Sequence, residues 1–256
     1  MNDFSVKVLT APLGYTYIFA VGQAGFIIKS ADGQLLGIDL YLSECVERVE
    51  GNIGFKRLLP KILEPFDLEF DVLIATHPHF DHFDMDAIPQ MMSNNHTQLF
   101  ASLNCEKEVQ LLNMHNDRVI YVAPGDYFEA GDFKIQFVTC DHGFGAPDAV
   151  GVVVTVDGKI IYETGDTCLR LDRADEYNAY GPFDVMIAPI NGAYGNLNEN
   201  ECADLSNSLK PKLTIPCHYG MFASHGGNPG KFCEIMKTQY PDNNFMLMAM
   251  GEKIRL

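Results

Sequence analysis

Residues 75–84 read ATHPHFDHFD, which puts three histidines and two aspartates into ten positions of a chain with only eight histidines in all. On an extended segment side chains two apart face the same way, so His77 and His79 share a side. Asp81 and His82 follow where the chain turns toward a helix, and adjacent residues point in different directions. One short stretch can therefore feed two metal positions, with His77 and His79 directed to one and Asp81 and His82 to the other.

Four apolar, strand-like runs end in a residue of metal-ligand type. DVLIAT leads to His77, KIQFVTCD to His142, KIIYETG to Asp166 and KLTIPC to His218. Strand ends let a rigid scaffold present side chains to one place, so four such endings predict one convergent site. Imidazole and carboxylate suit zinc, manganese or iron. Asp141 stands beside His142, and the spacing leaves open which of the two faces inward.

The rest of the chain is ordinary for a folded domain: 47% hydrophobic and 20% charged, with no apolar run near membrane-span length. With no linker or low-complexity stretch, residues 1–256 are expected to form a single domain. The opening MNDFSVKVLTAPLG lacks a basic, then apolar, leader pattern, and this predicts a cytoplasmic protein. Seven scattered cysteines without a CxxC pair argue against a disulfide framework, and Cys168 and Cys217 are expected to be core thiols. A net charge of −16 disfavours nucleic acid as a partner, whereas a local dication still permits an anionic small molecule. Composition leaves a homo-oligomer open.

Asp-Gly pairs in GFIIKSADGQLLGIDLYL and VGVVVTVDGKIIYETGDT mark two hairpins, each running on to an acidic residue, Asp39 or Asp166. Helices are expected over 84–94 with Asp84 as cap, over 105–114, over 199–209 and after Pro229. Strands outnumber helices and alternate with them irregularly, which suggests sheets covered by helices.

HxHxDH, a later histidine, a strand ending in Gly-Asp and a late PCHYG together resemble the metallo-β-lactamase fold superfamily of dinuclear metal hydrolases. The resemblance runs through most of the chain in the expected order. It implies an α+β fold, a four-layer αββα sandwich, and two divalent ions, zinc or manganese with iron compatible. His77, His79 and His142 would hold one ion, and Asp81, His82 and His218 the other, with Asp166 bridging. Such a pair lowers the pKa of a shared water to about 7 for zinc, which supplies hydroxide to attack an ester or lactone carbonyl, or phosphorus. Asp81 could orient that water or take its proton. VGQAGFIIKSADGQLLGIDLYLS, APINGAYG and IPCHYGMF, with no Gly-Gly after the DH, are similar to the L-ascorbate-6-phosphate lactonase-like group. Asp-Leu after Ile38 and a shorter chain depart from that group, so its substrate is not carried over.

Other readings of the same residues are a phosphodiesterase, phospholipase D-like enzymes included, a diiron redox protein, or a metal-binding protein without chemistry. Diiron members typically present Glu where His79 stands. Asn191, Tyr194, Tyr219 and His225, on loops after strands, are candidates to bind substrate, and His225, with glycines around it that permit movement, is also a candidate catalytic residue. A phosphate-bearing substrate would need cations, for which Lys56, Arg57, Arg170 and Arg173 are available. His96 and His115 are expected to have no catalytic role. Asp39 is read either as holding a ligand histidine by hydrogen bond or as a turn residue.

Overall fold

A computed structural model describes residues 2–114, 117–143 and 145–256, so the expectation for His115 lies outside the described residues. In chain order the strands are β1 (Tyr17–Gly22), β2 (Gly25–Lys29), β3 (Leu35–Ile38), β4 (Val72–Ala75), β5 (Gln98–Ser102), β6 (Val119–Val122), β7 (Tyr127–Ala130), β8 (Phe133–Thr139), β9 (Val150–Val156), β10 (Lys159–Glu163), β11 (Val185–Pro189), β12 (Thr214–Cys217) and β13 (Lys253–Arg255). The helices are α1 (Asp3–Leu9), α2 (Cys45–Glu50), α3 (Asn52–Phe55), α4 (Ile88–Met91), α5 (Glu106–Leu111), α6 (Ala174–Asn178), α7 (Glu199–Leu209) and α8 (Pro229–Gln239). None of the described helices is long and apolar enough to cross a membrane.

One sheet runs β13-β1-β2-β3-β4-β5-β6 and the other β12-β11-β10-β9-β8-β7. Alternation along the strands sorts the apolar side chains into two faces per sheet. Ile18, Ile28, Ile38 and Ile74 of the first sheet meet Ile135, Val154, Ile161 and Ile187 of the second in the central core. Phe19, Leu73 and Leu99 point the other way, onto Val8 of α1, Met91 of α4 and Val109 of α5. On the far side Val153, Tyr162 and Met186 pack on Leu205 of α7 and Phe232 of α8. The result is the expected helix, sheet, sheet, helix sandwich.

Both hairpins form, and each feeds the same topology. β2 and β3 pair antiparallel, and β3 then pairs parallel with β4. β9 and β10 do likewise, followed by β10 parallel to β11. The two halves thus deliver Asp39 and Asp166 from equivalent places.

Helix α7 spans its expected bounds, with Asn198 and Glu201 forming a reciprocal capping box. The helix expected over 84–94 is only Ile88–Met91. Pro89 lacks an amide hydrogen and fits only the first turn, which forces the helix to begin late. Asp84 instead holds a turn, accepting from the Asp86 and Ala87 amides at 3.0 Å each. The 105–114 helix is likewise shortened to Glu106–Leu111, behind a 3-10 turn at Leu103–Cys105.

Asp84 also reaches across to the loop after β3, accepting from the Leu42 and Ser43 amides at 2.8 Å each and the Ser43 hydroxyl at 2.6 Å. Asp84→Ala strands these buried donors and should cost about 3 kcal/mol. A fall in Tm of roughly 6–12 °C by calorimetry is expected; no measurable shift would contradict this role.

Candidate metal centre

His77 follows β4, His142 follows β8, Asp166 follows β10 and His218 follows β12, and all four are buried at one place. His77 Nε2 lies 2.9 Å from His79 Nδ1, which is 3.1 Å from His142 Nε2. His82 Nε2 and His218 Nε2 are 3.2 Å apart, with Asp81 Oδ2 3.3 Å from the latter. Asp166 Oδ2 sits between the groups, 3.2 Å from His218 Nε2, 3.4 Å from His82 Nε2 and 3.8 Å from His142 Nε2. His77–His79–His142, His77–His82–Asp166 and Asp81–His82–His218 are each close enough to hold one ion. His142, not Asp141, faces inward; Asp141 pairs with Arg170 at 2.9 Å and Arg173 at 3.3 Å.

This donor set fits a metal. Tetrahedral zinc with bonds of about 2.0–2.1 Å separates its nitrogen ligands by about 3.3 Å, close to the observed nitrogen pairs. Imidazole lone pairs facing one another at such distances repel unless a proton or a cation lies between them, so a common cation is the natural partner for three of them.

The ligands are held from behind. Asp39 accepts from His82 Nδ1 at 2.7 Å, which turns His82 Nε2 to the centre. It also accepts the Thr76 amide and hydroxyl at 2.8 and 2.7 Å. Asn196 donates to Asp166 Oδ2 at 2.7 Å, and Gln23 to Asp81 Oδ2 at 2.8 Å. Sequence reasoning missed Asn196 and Gln23, although both lie in stretches quoted for the resemblance or adjoining them. Gln23, Asp39, Tyr194 and His218 all have positive φ, between 48° and 62°, an unfavourable backbone for such residues that concentrates at this site.

A cleft of about 420 Å³ opens over the centre, lined by His79, Asp81, His142, Asp166 and His225 together with Val46, Glu50, Phe55, Pro78, Phe80, Glu108, Gly145 and Tyr194. Of the four substrate candidates it therefore brings in Tyr194 and His225. Asn191 is buried and accepts from Asn196 at 3.1 Å, so it orients the residue that holds Asp166. Tyr219 packs against the α7–α8 core instead, because the turn after His218 directs it away. His225 is packed edge-on or tilted among the rings of Phe55, Tyr194, His218 and Phe222. The neighbouring glycine expected to permit movement serves close packing, since a Cβ on Gly226 would collide with the Asn191 carbonyl.

No lysine or arginine is among the described lining residues. Arg57 donates to the Tyr41 and Leu59 carbonyls at 3.0 Å, Arg170 and Arg173 are tied to Asp141, and Lys56 is exposed. His96 is exposed and outside the lining. Cys217 is a buried thiol, but Cys168 is exposed, a correction that follows from the chain leaving the sheet after Asp166.

A family model described as a beta-lactamase superfamily domain matches residues 17–218. The chain belongs to the metallo-β-lactamase superfamily. It is 26% identical over 241 residues to a protein of Anaeromyxobacter dehalogenans named as a UPF0173 metal-dependent hydrolase, covering 89% of this chain and 83% of that one. A Thermococcus kodakarensis protein of the same name is 26% identical over 249 residues, or 92% and 97% of the two chains. Among solved structures, the metallo hydrolase Igni18 of Ignicoccus hospitalis superposes with a TM-score of 0.72 at 21% identity, over 94% of this chain and 98% of that one, a likeness of fold.

In this superfamily member the charges of the centre's own side chains are divided. Burial, then the charge of His82, lowers His77 and His79, and burial takes His142 to about 4. Burial opposes charge on His82 and His218 too, but Asp166, with Asp39 and Asp81 around His82 and Asp81 beside His218, outweighs it. His82 is held well above its usual value, and His218 is raised to about 9. Burial would raise Asp81 and Asp166, yet these two histidines hold both well below the carboxylate range.

At pH 7 a metal binding the free centre must therefore displace protons from His82 and His218. Calorimetric titration with zinc in buffers of different ionisation enthalpy should show release of about two protons per chain, fewer as the pH rises past 9. A binding enthalpy independent of the buffer would contradict this charge distribution.

Proposed function

We propose that the protein is a metal-dependent hydrolase that opens a carbonyl ester of a small molecule, lactones included, at a dinuclear centre. The observation that carries this is Asp166 between two three-residue donor groups at the floor of an open cleft. The family and the relatives named as metal-dependent hydrolases support it. His77, His79 and His142 would hold one ion and Asp81, His82 and His218 the second, with the Asp166 carboxylate between the two groups available to both. Zinc or manganese there supplies a water of lowered pKa and a Lewis acid for the carbonyl oxygen.

The chain's own groups do the rest. Asp81 lines the cleft with its carboxylate fixed by Gln23, so it can orient the attacking water and accept its proton. His225, lowered to about 4 by burial and then by the charge of His218, is neutral at pH 7 and can donate a hydrogen bond to the departing alkoxide. The proton taken up by Asp81 passes to the alkoxide and the acid proton is lost to solvent, so the products are a carboxylate and an alcohol, joined as one hydroxy acid when the substrate is a lactone. The likeness of VGQAG, APINGAYG and IPCHYGMF to the lactonase-like group supports a lactone among the esters.

Metal-loaded protein offered a panel of lactones and aryl esters in a pH-stat should turn over at least one of them. Asp81→Ala should lose more than about 100-fold in kcat, and a chelator should abolish turnover. Failure on the whole panel with metal bound, or full activity in Asp81→Ala, would overturn the proposal.

A further inference from the structure

We infer that the cleft selects a substrate whose distal part is aromatic or bulky and apolar and bears no negative charge, with Glu108 and Glu50 turning anionic substituents away. The chemistry at the floor rests on the hydrolase reading above; the selection at the mouth rests on the cleft alone.

The walls are apolar and aromatic. Val46 of α2, Phe55 of α3, Phe80 and Tyr194 line the cleft. A series of rings leads outward from the centre. His225 lies 5.0 Å from the ligand-type His218, Tyr194 5.1 Å from His225, and Phe55 6.3 Å from Tyr194, measured between ring centres. Such spacings are those of favourable aromatic pairs, and an aromatic substituent can extend the series. Tyr194 is 56% exposed, and its φ of +56° is a conformation a bulky residue avoids. A large apolar ring is thus held out over the cleft by a strained backbone, as expected of a residue kept for contact with a ligand.

The charges at the mouth have one sign. Glu50 and Glu108 line it with no lysine or arginine among the described lining residues. The buried Oε2 of Glu108 has no hydrogen-bond partner. A carboxylate oxygen left so has no donor to offset its charge, which acts through space on the cleft and repels a phosphate, sulfonate or carboxylate there. The arginines considered for anion binding are bound to carbonyls or to Asp141 and cannot offset this. Ions at the floor attract the carbonyl oxygen and any anion that reaches them, so the discrimination applies to the end of the substrate that stays at the mouth.

The test compares dihydrocoumarin with its 6-sulfonate, a weak metal ligand at the distal end, and with δ-valerolactone. The expected kcat/KM for dihydrocoumarin exceeds that for the sulfonate by about tenfold or more, a gap that Glu108→Gln narrows at least about threefold. Phenol leaves more readily than an alkoxide, so aromatic preference is read as the fall in the dihydrocoumarin to δ-valerolactone ratio on Tyr194→Ala. A sulfonate turned over as well as the parent, or ratios unmoved in both variants, overturns the inference. Binding of 1-indanone and its 5-sulfonate by calorimetry separates the two claims. If no lactone is hydrolysed but indanone binds about tenfold tighter than its sulfonate, the hydrolase reading fails and the selection stands. Equal binding, or no binding of indanone, overturns the selection.

Discussion

The buried carboxylate of Asp39 joins the two ends of the HPHFDH stretch. One group accepts the Thr76 amide at 2.8 Å, the Thr76 hydroxyl at 2.7 Å and His82 Nδ1 at 2.7 Å. Thr76 precedes His77, and its hydroxyl is 3.0 Å from His77 Nδ1, so the same contact orients a histidine of each donor group. Charge-assisted hydrogen bonds to a buried acceptor are strong, and their loss leaves polar groups unpaired, so the loop has little freedom to rearrange. Asp39 can do this because β3 pairs parallel with β4, with Ile38 beside Ile74, which brings both strand ends to one edge.

From that anchoring the rest of the centre follows. The second half of the fold repeats the hairpin and parallel strand, and Asp166 arrives opposite Asp39. Burial keeps three histidines neutral, while the carboxylates keep His82 and His218 cationic without metal. The centre is an assembly of opposed charges and lone pairs that divalent ions can replace proton for metal.

Much of this was legible in the sequence because strand ends and short polar motifs are local. The four apolar runs, the alternation within HPHFDH and the two Asp-Gly hairpins are each set by neighbours a few residues away, and the structure brings together every ligand-type residue they named. What was not legible depends on residues distant in the chain. Gln23 reaches Asp81 across 58 positions and Asn196 reaches Asp166 across 30, with no pattern in either segment to announce it. Tyr219 and Asn191 were candidates by position on a loop, but only packing decides which loop side chains face the cleft. Pro89 did signal the short α4, since it demands a place in the first turn.

The most direct test of the dinuclear centre is metal content after dialysis against zinc or manganese, measured by elemental analysis beside His142→Ala and His218→Ala. The account predicts two ions per chain, with each variant, one from either side of Asp166, retaining about one. A wild-type chain that takes up one ion or none, or variants that both keep the full complement, would contradict it.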